Sequence, residues 1–111
     1  MVTKIPYNIQ IASHTYKVWF DEREKDGDFR GSALHRYHEI LLNPDLHKQQ
    51  IRVTFLHEVI HVICQTFDLS PSESETHRLA EGIADFLFSN LNINFDFSDI
   101  PIRKVEGRTD E

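Results

Sequence analysis

The chain has 111 residues, a net charge of −6, and 40% hydrophobic against 27% charged residues, which are the proportions of one ordinary globular domain. Its twelve Lys and Arg residues are scattered, with no run longer than Arg103-Lys104, so no basic surface for nucleic acid is expected. Cys64 is the one cysteine, which excludes an internal disulfide and a paired-cysteine metal site. No apolar stretch is long enough to span a bilayer, and Met1 to Pro6 lacks the apolar segment of a secretory leader. The expectation is a soluble protein of the cytosol, with no membrane partner.

Tyr7, Ile9 and Ile11 alternate with polar residues, and so do Tyr16, Val18 and Phe20. With Ala12-Ser13-His14 as the turn, residues 7–20 read as a hairpin. The run from Asp21 to Asp28 is almost wholly charged and reads as a solvated loop. Phe29 to Leu34 and His38 to Asn43 form a second hairpin around His35-Arg36-Tyr37, and Glu39-Ile40-Leu41-Leu42, the more apolar arm, belongs in the core. Asn43-Pro44-Asp45 then breaks the strand.

From about Leu46 to Phe67 the apolar residues Ile51, Phe55, Val59, Val62 and Ile63 recur at helical spacing, while Val53, Leu56 and Ile60 widen the apolar surface. Such a helix is buried by neighbours on most sides. Ser70-Pro71-Ser72-Glu73 reads as a helix start: Ser70 at the N-cap, Pro71 at the first position, Glu73 closing a capping box. That helix should run to about Leu91, antiparallel to the first because the link is short. Residues 1–102 thus form one domain and 103–111 a polar tail that frays. The fold class expected is α+β: a small antiparallel sheet of three to four strands packed on two long antiparallel helices.

The chemistry concentrates on the first helix. His57 and His61 lie four residues apart and project from one face, one turn from each other, a spacing at which two neutral imidazoles share one Zn²⁺. Glu58 lies about 100° further round, where it can act as general base toward water activated by the metal. A third protein ligand is needed, with the fourth position open to water. On the second helix His77, Glu81 and Asp85 make a polar stripe opposite Leu79, Ile83 and Phe86. Ala80, Gly82 and Ala84 flank Glu81, and Gly82, costly inside a helix, suggests a close backbone approach there. His77, one turn before Glu81, is the alternative metal ligand.

His57-Glu58-x-x-His61 followed by Glu81-x-x-x-Asp85 is similar to the gluzincin pattern of thermolysin-like peptidases. More widely, residues 31–90 resemble the small zinc-peptidase-like proteins of phages and prophages, the minigluzincins and, more distantly, the ImmA/IrrE and SprT-like groups. The stretches that carry this are Glu39 to Leu46, Thr54 to His61 and Leu79 to Asp85. The resemblance implies a zincin-like fold, one Zn²⁺ per chain held by His57, His61 and Glu81, Glu58 as catalytic base, and Asp85 as the carboxylate that orients His57. It implies a zinc metallopeptidase acting on a peptide or protein.

The chain departs from that pattern in size: it has no room for the C-terminal subdomain that, in thermolysin-like enzymes, supplies a transition-state-stabilising histidine. This motivates a second expectation, a zinc-binding regulatory or protein-interaction module on a peptidase scaffold. A peptide deformylase is excluded because Cys64 lies two turns past His57 on the same helix, and it reads instead as a small buried hydrophobe. His14, His35, His38 and His47 fall near turns and strand ends, where solvated histidine is the default. Tyr37 and His38 precede the strand that leads to the metal helix, and are the positions expected to touch substrate or an oxyanion.

Overall fold

The two hairpins and two helices expected from the pattern are all present in a computed structural model of the chain, which describes residues 1–22 and 30–103. The strands are ordered differently from the expectation. In the first hairpin, β2 (Asn8–Ile11) and β3 (His14–Asp21) pair antiparallel; β1, the short strand Val2–Lys4, precedes them. Ile11 pairs with His14, so the turn is Ala12 and Ser13 alone, with φ of 50° and 74°. Two consecutive positive φ values give the turn whose twist suits a hairpin.

The second hairpin is β4 (Gly31–Leu34) with β5 (Glu39–Leu42), again antiparallel. β5 inserts between β3 and β4 and runs parallel to β3, giving the order β2-β3-β5-β4. The sheet is therefore mixed, which corrects the all-antiparallel expectation. The reason lies in β5: Ile40, Leu41 and Leu42 are buried, and an apolar run of this kind demands a central place covered on both faces. β4, half-buried along its length, takes the edge. Asp21 is the fully buried last residue of β3 rather than the start of a solvated loop. The remainder of that charged run, from 23 on, lies outside the described residues, as does Phe29.

Helix α1 spans Lys48–Thr66 and α2 spans Glu73–Asp85, followed by one π-turn over Phe86–Asn90. Phe55 and Val62 of α1 join Ile11, Tyr16, Val18, Ile40 and Leu42 of the sheet in the main core, each large apolar side chain contributing about 2 kcal/mol by burial. Ile60 and Cys64, with Val53 and Leu56, pack against Ala80 of α2. The centrality of α1 is thus as the pattern predicts. The buried face of α2 is Thr76, Ala80 and Ala84, which leaves Leu79, Ile83 and Phe86 exposed.

Three short strands carry no sequence signal. β1 pairs parallel with β6 (Asn94–Asp96), and β7 (Ile102–Arg103) pairs parallel with the end of β3. Between them Phe95 and Phe97 pack edge-on against Phe55, with centroids 6.0 and 5.6 Å away. Arg103, expected to open a polar tail, belongs to β7 and is held by Asp21 and Glu39; residues 104–111 lie outside the described residues. Among the described residues no helix is long and apolar enough to cross a membrane.

Neither turn residue of the first hairpin is glycine, and the left-handed region costs other L-residues about 1 kcal/mol each. Ser13→Gly, at an exposed position with φ of 74°, should therefore raise stability by about 0.5–1 kcal/mol. A higher urea midpoint with an unchanged slope is the expected result.

Candidate metal centre

The site begins with a choice between two overlapping helix starts. Ser70 with Glu73, and Ser72 with Glu75, both have the spacing of a capping box. The helix uses the second: Ser72 Oγ accepts from the Glu75 N–H at 3.0 Å, and the Glu75 carboxylate accepts from the Ser72 N–H at 2.8 Å. This corrects the expected N-cap at Ser70. Two further contacts at the end of α1 favour it. Asp68 adopts φ of 59° and the Leu69 N–H donates to the Cys64 carbonyl at 2.8 Å, a helix-terminating motif that occupies residues 67–69. Glu73, released from capping, becomes the first residue of α2 and turns toward α1.

There it meets both histidines. His57 Nε2 lies 2.6 Å from Glu73 Oε1, His61 Nε2 lies 3.2 Å from the same oxygen, and the two Nε2 atoms are 3.0 Å apart. The three form a group able to hold a metal ion. A tetrahedral zinc with ligands at 2.0–2.1 Å separates neighbouring donor atoms by about 3.3 Å, close to what these side chains already present. The donor set also fits: two imidazole nitrogens and a carboxylate oxygen are three lone-pair donors at one point. A proton between two of them leaves the third unmet, whereas a divalent cation meets all three. Burial keeps the His57 imidazole below its ordinary pKa, with hydrogen bonding to Glu73 opposing and the charge of His61 reinforcing the shift. Partial burial pushes Glu73 up, but its contacts with His57 and His61 outweigh that and hold its carboxyl below the usual range. Both shifts act in the direction that metal binding needs, toward a neutral imidazole at His57 and an ionised carboxylate at Glu73.

Glu58 lies next to the pair on α1, only 6% exposed, and lines the same cavity. The cavity is bounded by α1, the start of α2 and β4. Gly31 of β4 allows this approach: a Cβ there would stand 2.8 Å from Thr54 Cγ2, 2.9 Å from the Leu41 carbonyl oxygen and 3.4 Å from Glu58 Cγ. The close backbone approach that Gly82 suggested is absent at Gly82, where nothing lies within 4 Å; it occurs at Gly31 instead.

The structure therefore brings His57, Glu58 and His61 together as the spacing predicts. Glu81 and His77 line the same cavity but pair with each other at 3.5 Å and stand outside the three-residue group, although the His77 ring lies 6.1 Å from that of His57. Asp85, expected behind His57, instead accepts from Ser89 Oγ at 3.1 Å. Tyr37 is 67% exposed, and His38, with φ of 54°, stacks on Tyr16 at 4.9 Å beside His14; neither lines the cavity. Two residues went unnoticed in the sequence. Glu73 was hidden by its apparent capping role. His35 sat in a turn and reads as solvated, yet it lines the cavity.

No family model matches the chain, and neither the curated proteins nor the solved structures yield a match. The site thus stands on its own geometry.

Two outcomes follow from that geometry. The protein should take up one zinc per chain by elemental analysis. His57→Ala and His61→Ala should abolish uptake, and Glu73→Ala should weaken it at least about a hundredfold. Glu81→Ala should change it less than about threefold, and loss of zinc in Glu81→Ala with retention in Glu73→Ala would replace Glu73 by Glu81 in the ligand set. Separately, Gly31→Ala should cost about 2 kcal/mol through overpacking between β4 and α1, measured as a lower thermal midpoint.

Proposed function

We propose that this chain is a zinc-dependent metallopeptidase in which His57, His61 and Glu73 hold the metal. The observation that carries the reading is the convergence of two Nε2 atoms and one carboxylate oxygen within 3.2 Å, in a cavity that also contains a buried glutamate. When bound, zinc supplies a Lewis acid and lowers the pKa of water to about 7. Glu58 takes the proton from the attacking water and returns it to the amide nitrogen as the C–N bond breaks.

The sheet supports a peptide as the substrate class. β4 ends the strand order of the described residues, and Gly31, Ser32 and Ala33 of that strand line the cavity. An extended peptide laid along that wall of the cavity is carried past Glu58. On this reading the α+β fold is a minimal zincin-like scaffold. The lone buried thiol of Cys64 suits a reducing compartment such as the cytosol.

The test is cleavage of unfolded casein and of a mixed peptide library by the zinc-loaded protein. Cleavage should stop on adding a chelator and return on adding zinc. Glu58→Gln should keep full zinc stoichiometry and lose at least about a hundredfold in rate. Full zinc occupancy with no cleavage of either substrate would leave the site as the zinc-binding, protein-interaction module that is the alternative reading.

A further inference from the structure

A peptidase of this type must stabilise negative charge on the carbonyl oxygen when water adds to the carbon, and neither residue expected for that work, Tyr37 or His38, reaches the cavity. His35 does. It follows β4 directly, in a turn where the Tyr37 N–H donates to the Leu34 carbonyl at 3.2 Å and the His38 N–H to the His35 carbonyl at 3.4 Å. Those bonds fix its backbone. Gly31 at the start of β4 abuts Thr54 and Glu58 of α1, and His35, just past its end, lines the same cavity as His57 and His61. β4 therefore carries the His35 ring to the metal-facing side of α1.

The state of this ring is legible from its surroundings. Nδ1 is buried and has no hydrogen-bond partner among the described residues. An unmet acceptor is tolerated in protein interiors more readily than an unmet N–H, so the proton of the neutral ring belongs on Nε2. Burial holds the His35 imidazole below its ordinary pKa. The other cavity histidines are engaged: His57 and His61 with Glu73, and His77 with Glu81. Among the described residues no carboxylate pairs with His35.

We propose that His35 is the oxyanion donor of this cavity, its Nε2–H hydrogen-bonding the substrate carbonyl oxygen as that oxygen gains charge. The proposal rests on the peptidase reading and assigns that reading one further catalytic residue. It places that donor on the sheet side of the cleft.

The test uses the full chain loaded with zinc and dimethylphosphinate as the probe, a monoanion whose tetrahedral phosphorus imitates the carbon after water has added. Affinity is measured by calorimetry on the wild type, His35→Ala, His35→Gln and His35→Asn, with zinc content and thermal midpoint recorded for each. His35→Ala should bind the probe at least about tenfold more weakly with zinc content unchanged. Gln, whose amide nitrogen falls near the Nε2 position, should recover part of the loss, and Asn, which mimics Nδ1, should not. In the unaltered protein near pH 7.5, nitrogen NMR of the His35 ring should show the neutral form protonated at Nε2. Equal probe affinity in the wild type and His35→Ala, no measurable affinity in the zinc-loaded wild type, or a ring protonated at Nδ1 would each overturn the assignment while leaving the zinc site intact. Failure of the unaltered chain to bind zinc is the separate result that removes the peptidase reading itself, and His35's role with it.

Discussion

Helix α1 is enclosed by three neighbours, and the angles at which it meets them determine where the chemistry can be. At about 100° per residue, Ile51, Phe55, Val59 and Val62 share the sector that packs on the main core. Val53, Leu56, Ile60 and Cys64 share the sector that packs against α2. Thr54 and Glu58 occupy the sector against β4. His57 and His61 fall in the remaining gap, between the α2 sector and the β4 sector. A helix so enclosed cannot roll to relieve a misfit without exposing one of its two apolar faces. The seam that holds the histidines is therefore as fixed as the core, and Glu58 is fixed beside them as part of the same packing.

The sheet sets the height of that seam through a cluster of charges around the buried Asp21. Arg103 donates from Nε to Asp21 at 3.1 Å and from both terminal nitrogens to Glu39, also at 3.1 Å, with its guanidinium 4.9 Å from the Trp19 ring. Desolvation works against the charged arginine, but the two carboxylates outweigh it and raise its pKa. Asp21 is fully buried, and a charge taken out of water needs compensation of the kind Arg103 supplies. The cluster joins the end of β3, the first residue of β5 and the short β7. It thereby selects the parallel register in which Lys17 faces Glu39 and Phe20 faces Leu42. β5 leads through Asn43 and Pro44 into α1, and the register of β3 on β5 thus carries through to the position of the histidines.

Local pattern made the elements legible and left their arrangement open. The alternation of Tyr16, Val18 and Phe20, the apolar run of β5 and the helical period of α1 each identify an element because the signal repeats within a few residues. The pairing of β3 with β5 depends on which of two hairpin arms is more completely buried, a competition that no single segment records. β1, β6 and β7, of three, three and two residues, are too short for alternation to appear at all. The same division holds at the site. His57, Glu58 and His61 are read at once because one helix turn relates them, whereas His35 reaches the cavity only through the path of β4, and a turn histidine has no periodicity to betray it.

Glu73 shows how a helix end can decide what a helix face cannot. Ser70-Pro71-Ser72-Glu73-Ser74-Glu75 contains two capping frames two residues apart, and moving from one to the other turns a given side chain through about 200°. In the frame that the helix adopts, Glu75 closes the cap and Glu73 stands at the first helical position, where the helix dipole favours a carboxylate. Its side chain remains 75% exposed, so it can adjust to a ligand by rotating without disturbing the core. Glu81 lies two turns deeper on α2, beside the buried Ala80 that packs on α1, and its carboxylate is directed at His77. A histidine pair on one helix therefore leaves the carboxylate that meets it to be chosen by where the next helix starts. That start is set by the left-handed Asp68 and by the cap at Ser72, both outside the His57–His61–Glu73 cluster.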